Sequence, residues 1–124
     1  MGMALDYCDI EVVSDNTAIL RVQEGQNVSL ERAIDLSRRL SKMVTPPLNL
    51  IFDRLHQYSF ELDALQLLRD KELFQKVIVV SYRSITDQMT ELERHLGRED
   101  LHLVHSLDAA IKLCKDSLPE TKEA

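Results

Sequence analysis

Glycine and cysteine are scarce in this chain of 124 residues, and each scarcity excludes a class of function. The chain contains only three glycines and two cysteines. It therefore has neither a glycine-rich phosphate loop nor the Gly-x-Ser-x-Gly turn that presents the nucleophile of many hydrolases. Cys8 and Cys114 lie far apart and form no CxxC motif, so we expect reduced, structural thiols in a cytoplasmic protein.

Long apolar runs and basic clusters are also missing. No apolar stretch approaches the roughly 18 residues that a membrane span requires. The formal net charge is −6, and no basic cluster is larger than the pair Arg38 and Arg39. Nucleic acids and anionic membrane surfaces are usually bound by a basic face. We therefore expect no membrane span and no nucleic-acid partner, and the absence of a signal-peptide pattern favours the cytoplasm.

The composition is that of one ordinary globular domain. Apolar residues make up 44% of the chain and charged residues 29%. A chain of this length buries well over half of its unfolded surface without disulfides. Because we find no repeat, linker or low-complexity segment, we predict a single domain over residues 1–124 with its core at about 10–118.

Residues 76–82 form the clearest element of the sequence. They contain four successive β-branched residues, Val77, Ile78, Val79 and Val80, with no polar residue among them. An unbroken apolar run predicts a strand that is covered on both faces, as in the middle of a parallel sheet. We therefore place this strand inside the sheet and arrange the other elements around it.

The remaining elements alternate between strands and amphipathic helices. We predict strands at 10–13, 17–22, 48–53 and 101–105, helices capped by Ser29, by Ser59 and by Ser84 or Thr86, and a fourth helix from Ser106. The third helix is expected to carry Met89, Leu92 and Leu96 on one stripe, and Pro119 to end the fourth near Leu118. Residues 1–8 show no pattern and are expected to be loose.

The order of these elements predicts the fold class. It is β-β-α-β-α-β-α-β-α, which is typical of an α/β domain with a mostly parallel sheet and right-handed crossovers. The predicted sheet has five strands. The first two strands form a hairpin through Ser14, Asp15 and Asn16, so the first strand is expected to lie antiparallel at one edge.

Polar and aromatic residues follow the carboxyl ends of the predicted strands, where open parallel sheets bind ligands. The candidate ligand or partner rim comprises Asp53, Arg54, His56, Tyr58, Ser59, Tyr82, Arg83, Ser84 and His105. Predicted helix N-termini at the same edge would offer unpaired N–H groups to an anion. Polar loops and serine caps would produce the same pattern without any function.

Catalytic and metal-binding interpretations fit the rim less well. Asp53 and Ser81 end neighbouring strands as in a response-regulator receiver, but the acid pair that holds magnesium there is missing and His105 replaces the lysine. A Ser-His-Asp triad can be assembled from rim residues without any supporting motif. His102 and His105 point to opposite faces of one strand and cannot chelate a metal together. We predict no enzyme activity, no metal and no cofactor.

The second face of the sheet leaves another alternative open. Ile51 and Val104 lie on that face together with alternate residues of the central strand. Without a covering helix, this apolar stripe would be exposed and would bind a partner or a second copy of the chain. A helix lying over the stripe is the other arrangement that the pattern allows.

The strands at 48–53 and 76–82, the helix from Ser59 and the closing stretch 101–111 resemble SpoIIAA-like, or STAS-like, domains. The closing stretch is the most telling, because a strand with a polar end is followed by Ser106-Leu107-Asp108-Ala109-Ala110, which opens a helix. The resemblance implies a domain that binds proteins or small ligands rather than catalysing a reaction. It also implies that the chain lies near the uncharacterised branch of this group.

The resemblance carries one candidate modification site. Regulatory members are switched by phosphorylation of a serine in an Asp-Ser-Ser-Gly-type segment, and here only Ser59 can take that role, without the neighbouring Asp or Gly. A phosphate on a helix N-terminus is favourable, although Glu61 and Asp63 would oppose it. We predict a non-enzymatic, regulatory domain that binds a protein partner or forms a homodimer. The alternative is a small anionic or lipid-like ligand at the rim.

Overall fold

A mixed sheet with helices on both faces forms the domain in the structure, a computed structural model that describes residues 2–116. The strands are β1 (Gly2–Ala4), β2 (Cys8–Ser14), β3 (Thr17–Val22), β4 (Asn27–Val28), β5 (Leu48–Arg54), β6 (Ser59–Phe60), β7 (Phe74–Ser81) and β8 (His102–Val104). The helices are α1 (Leu30–Met43), α2 (Leu62–Leu67), α3 (Ser84–Leu96) and α4 (Leu107–Asp116).

The main sheet has the strand order β1-β2-β3-β5-β7-β8. Strands β3, β5, β7 and β8 run parallel, whereas β1, β2 and β3 are joined by antiparallel pairing. The short strands β4 and β6 form a separate parallel pair. The predicted α/β class and the mostly parallel sheet are confirmed, and the five predicted strands correspond to β2, β3, β5, β7 and β8.

The N-terminal residues differ from the prediction. Gly2, Met3 and Ala4 pair antiparallel with Glu11, Ile10 and Asp9, so β1 is the edge strand and the sheet has six strands rather than five. The expectation that residues 1–8 are loose is wrong. An edge strand is held by backbone hydrogen bonds, and the side chains of β1 are all exposed, so they leave no apolar pattern in the sequence.

The central position predicted for 76–82 is confirmed. Strand β7 lies between β5 and β8 and runs parallel to both. Val77, Ile78, Val79 and Val80 are all buried. Its neighbour β5 is buried along its whole length, including the polar residues near its end. This pair of interior strands sets the position of the rim.

The two faces of the sheet are covered by different helices. On the first face, defined by Leu50, Phe52 and Val79, the core includes Leu36 and Leu40 of α1 and Ala64 and Leu65 of α2. On the second face, defined by Ile51, Ile78 and Val80, the core includes Ala110 and Cys114 of α4. An exposed apolar stripe on this part of the second face is therefore excluded. The predictions for Leu118 and Pro119 concern residues outside the described range.

Two predicted helix starts need correction. Ser29 caps α1 as expected, because its side chain accepts the backbone N–H of Arg32 at 3.2 Å. Ser59 does not cap α2, since Ser59 and Phe60 form β6 and the helix begins at Leu62. Neither Ser84 nor Thr86 caps α3, because Ser84 is already its first helical residue and no side chain caps that end.

The longest of the described helices is α1, which has 14 residues. No helix within residues 2–116 combines the length and apolar character that crossing a membrane requires.

Candidate functional site

The rim residues that end β5 divide between the two faces of the sheet. Successive side chains of a strand point to opposite faces, so Asp53 lies on the second face with Ile51 and Arg54 on the first face with Phe52. Each of the two polar residues is buried and is the centre of its own network. The rim is therefore two separate polar clusters rather than one site.

On the second face, Asp53 joins three strand ends. Its carboxylate accepts hydrogen bonds from Nε of Arg21 at 2.9 Å and from the hydroxyl of Tyr82 at 2.6 Å. Arg21 also donates to Glu11 at 2.7 Å. Burial and the hydrogen bond to Asp53 raise the pKa of Tyr82 to about 12. Both oxygens of the Asp53 carboxylate therefore accept hydrogen bonds from within the domain, and neither is left for a ligand.

On the first face, Arg54 connects the sheet to α3. Its guanidinium forms a buried ion pair with Glu93 and donates to the backbone carbonyl of Tyr58 at 2.9 Å. It also stacks on the Tyr58 ring, with its central carbon 4.3 Å from the ring centroid. Burial raises the pKa of Glu93, while Arg54 opposes that shift. The positive charge of Arg54 is thus used inside the fold.

The Tyr58 hydroxyl lies deeper on the same face. It is buried and has no hydrogen-bond partner among residues 2–116. Burial raises the pKa of Tyr58, so the phenol stays neutral at physiological pH. Its ring packs edge-on against Phe60, with the two centroids 5.5 Å apart. Tyr58 is therefore a core residue that supports Arg54.

The more exposed rim residues form local pairs. His56 lies 3.7 Å from Glu24, and His105 lies 3.3 Å from Asp87. Arg83 and Ser84 are exposed at the start of α3. A shallow concavity of about 320 Å³ is lined by Glu24, Gly25, Gln26, Gln57, Tyr58, Ser59 and Met89. Tyr82 lies on the other face of the sheet beside Asp53, so Tyr58 and Tyr82 do not line this concavity together.

Ser59 occupies a strand rather than a helix end. Its hydroxyl donates to the side-chain oxygen of Asn27 at 2.9 Å, and the Asn27 amide donates to Glu61 at 3.1 Å. Ser59 lies in β6, before the start of α2. The expectation that a helix N-terminus would stabilise a phosphate on Ser59 is therefore wrong. The nearby carboxylate of Glu61 would repel one.

The sequence reasoning missed a surface on α3. Ile85, Leu92 and Leu96 are 51%, 61% and 43% exposed, so the predicted stripe of Met89, Leu92 and Leu96 lies largely in water. Together with the half-buried Met89 they form what we call the α3 stripe. At about 100° per residue these four positions lie within about 60° of one another around the helix axis.

Polar contacts hold α3 against the domain instead. Its fully buried residues are Thr86 and Thr90, and neither apolar core cluster of the described residues includes a residue of α3. Gln57 donates to the Thr86 hydroxyl at 3.2 Å, and Glu93 pairs with Arg54. The sequence contained a signal for this arrangement, because Thr86, Thr90 and Glu93 share a second helical face. Pattern alone does not say which face is buried.

Among residues 2–116, no group of three or more histidine, cysteine or acidic side chains is arranged to hold a metal ion. Cys8 and Cys114 are both buried, and burial raises the pKa of both thiols. Their thiols are therefore poor nucleophiles at neutral pH.

Comparison with solved structures identifies the fold. An uncharacterised protein of the DUF3478 family from Shewanella loihica PV-4, described as having a SpoIIAA-like fold, aligns with a TM-score of 0.55 and 15% sequence identity. The alignment covers 91% of this chain and 99% of that one. No family model and no curated protein matches the chain. As the sequence resemblance predicted, the chain has a SpoIIAA-like fold.

Proposed function

We propose that this chain is a non-enzymatic, regulatory interaction domain of the cytoplasm that binds a protein partner through the α3 stripe. The observation that carries the proposal is the reversed amphipathicity of α3, which buries Thr86 and Thr90 and exposes Leu92 and Ile85. Single exposed apolar residues are common, but a row of them on one helix is typical of a binding surface.

The energetics support this surface. Full burial of a leucine or isoleucine side chain contributes about 1.5–3 kcal/mol, and Ile85, Leu92 and Leu96 each keep about half of their area in water. A partner that covers the row would therefore gain roughly 1 kcal/mol from each of the three. The exposed half of each side chain does not stabilise the free domain, so its apolar character is better explained by binding.

The rim clusters support a non-enzymatic role. The Asp53 carboxylate is occupied by Arg21 and Tyr82, and Arg54 is neutralised by Glu93. Groups that catalyse a reaction or bind an anion usually keep a donor, acceptor or charge directed at the ligand. The charges of Asp53 and Arg54 are thus paired inside the fold, as a structural role requires, although the buried Nε of Arg54 has no hydrogen-bond partner among residues 2–116.

Site-specific photo-crosslinking tests the proposal. A photoreactive amino acid at position 92 is expected to give adducts with a protein in cells that express the chain. The same probe at Leu55, which is 52% exposed in the loop after β5, is the matched control and is expected to give none. Adducts from position 92 should disappear when Ile85 and Leu96 are both replaced by glutamine. Equal labelling from both positions would contradict the proposal.

A small ligand at the rim is the second candidate. The concavity beside Tyr58 and Ser59 favours it, but the neutralised Arg54 weakens the case for an anion. Native mass spectrometry of the purified chain distinguishes the two functions. A retained mass that is lost in Ser59→Trp, which would fill the concavity, would favour the ligand over the protein partner.

A further inference from the structure

We infer that the α3 stripe binds the same stripe of a second copy of the chain, with the two helices antiparallel about a two-fold axis. The inference rests on the proposed function, because it names the partner for the surface proposed there. The argument has three parts, which concern the spacing of the stripe, the charges beside it and its size.

The spacing of the stripe is the same in both directions. Ile85, Met89, Leu92 and Leu96 are separated by four, three and four residues. An antiparallel pair therefore places Ile85 opposite the second copy's Leu96 and Met89 opposite its Leu92, and the same contacts repeat across the axis. Such self-complementarity is what a two-fold interface requires, and alternating steps of three and four are typical of paired helices.

The charges of α3 favour a copy of itself over a charged peptide. All three acids of the helix are already paired within the chain, Asp87 with His105, Glu91 with Arg94 and Glu93 with Arg54. A basic partner would find no unpaired carboxylate on this helix.

The positions beside the stripe also permit a second copy to approach. Gln88 and His95 border it on the solvent side, and both are exposed. Neither adds to the formal net charge of −6, which counts histidine as neutral. In the antiparallel register, Gln88 of one copy lies near His95 of the other. The two helices therefore meet without bringing like charges together at the interface.

The size of the stripe predicts a weak dimer. Three half-exposed side chains and Met89 cover far less than the roughly 800 Å² per partner of a standard stable interface. We therefore expect a reversible monomer–dimer equilibrium with a dissociation constant of about 10 µM to 1 mM. Such a dimer forms only when the chain is concentrated, for example by attachment to a larger assembly.

Sedimentation velocity of the full chain over about 5 µM to 1 mM is the first test. The wild type is expected to shift from monomer to dimer across this range. Leu92→Gln should weaken association at least about tenfold, the effect of losing roughly 1.4 kcal/mol. Leu62→Gln, at a leucine of α2 that is 49% exposed, is the matched control and should leave the equilibrium unchanged. Circular dichroism melts show that each variant remains folded.

Disulfide trapping tests the antiparallel register. Ile85→Cys and Leu96→Cys variants, carried on chains of different mass, are mixed and oxidised. The antiparallel pair predicts a disulfide between the two variants and little within either variant alone, because equivalent positions lie apart along the axis. Preferential cross-linking of each variant with itself would overturn the arrangement. The buried Cys8 and Cys114 do not compete at neutral pH.

The outcomes separate this inference from the proposed function. A wild type that stays monomeric at 1 mM and gives no mixed disulfide overturns the self-association. If position 92 nevertheless gives adducts with another protein in cells, the stripe is a binding surface for a different partner and the proposed function stands. If position 92 gives no adducts as well, both proposals fail.

Discussion

Helices α3 and α4 carry similar apolar stripes, but they bury them differently. α4 turns Ala110 and Cys114 into the core of the second face, with Leu107 and Ile111 packed against it. α3 leaves Leu92 and Leu96 exposed and buries threonines. The difference lies in what the sheet presents to each helix. α4 meets Ile51, Ile78 and Val80, whereas α3 meets the end of β5, where Arg54 needs a partner.

The ion pair between Arg54 and Glu93 favours the observed orientation of α3. Leaving a buried ion without its partner costs about 3–5 kcal/mol. Turning α3 to bury its half-exposed apolar side chains would gain roughly 1 kcal/mol for each of them. The two amounts are similar, and the contact between Gln57 and Thr86 adds to the observed orientation. On these magnitudes the ion pair and the contact between Gln57 and Thr86 together offset the apolar burial that α3 gives up.

Removing one partner of the ion pair between Arg54 and Glu93 should have the largest effect on stability among the tests that compare α3 with α4. Arg54→Ala leaves Glu93 buried without a partner, and we expect the free energy of unfolding to fall by about 3–5 kcal/mol in urea titrations. The double variant Arg54→Met with Glu93→Leu should recover most of that loss, because it removes both charges together. Arg39→Ala, which breaks the exposed pair with Asp35, is the control and should cost less than about 1 kcal/mol. If Arg54→Ala also costs less than about 1 kcal/mol, our account of α3 is contradicted.

Truncating one isoleucine under each helix should give the next largest difference. Ile51→Ala creates a cavity beneath α4 and should cost about 2–5 kcal/mol in the same titrations. Ile85→Ala, at the half-exposed start of the α3 stripe, should cost no more than about 1 kcal/mol. Equal losses from the two substitutions would mean that the α3 stripe is buried in the free domain.

The smallest expected effect concerns the pH dependence of stability. Burial raises the pKa of Glu93 in the folded state above its ordinary 4.5. The contribution of Glu93 to the free energy of unfolding is therefore fully present below pH 4.5 and is lost as the pH rises through the pKa of the folded state. The stability difference between wild type and Glu93→Gln should therefore decrease from pH 4 to pH 7 in urea titrations.

Asp100 provides a comparison of opposite sign. A hydrogen bond from Arg98 lowers the pKa of the Asp100 carboxyl below 3.8, although this residue is largely exposed. Its small contribution is present above that pH and is lost on acidification. The difference between wild type and Asp100→Asn should therefore shrink as the pH falls towards 2. The same trend with pH for both variants would contradict the opposite shifts.

The interior of the fold could be predicted because it follows from apolar pattern. The run from Val77 to Val80 predicted an interior parallel strand. The turn residues Ser14, Asp15 and Asn16 predicted the hairpin between β2 and β3. Ser29 predicted a helix start because a capping side chain acts on its own neighbours. The edge strand β1 could not be predicted, since its exposed side chains carry no periodicity.

The candidate site was harder to predict because its residues interact across the chain. Asp53 and Arg54 are adjacent in sequence, yet they face opposite sides of the sheet and bind partners from different elements. Ser59 resembled a helix cap until its strand pairing with β4 was known. Chain order therefore suggested one polar rim where the fold has two separate clusters, one on each face of the sheet.

Local pattern by itself determined the α/β class, the buried parallel strands and the amphipathic character of the helices, because these properties depend on neighbours within a few residues. Only the tertiary structure decided which side of α3 faces the sheet. That choice depends on Arg54 and Glu93, which are 39 positions apart in the chain and meet only after β5, β7 and α3 have assembled. The exposed α3 stripe follows from that distant ion pair.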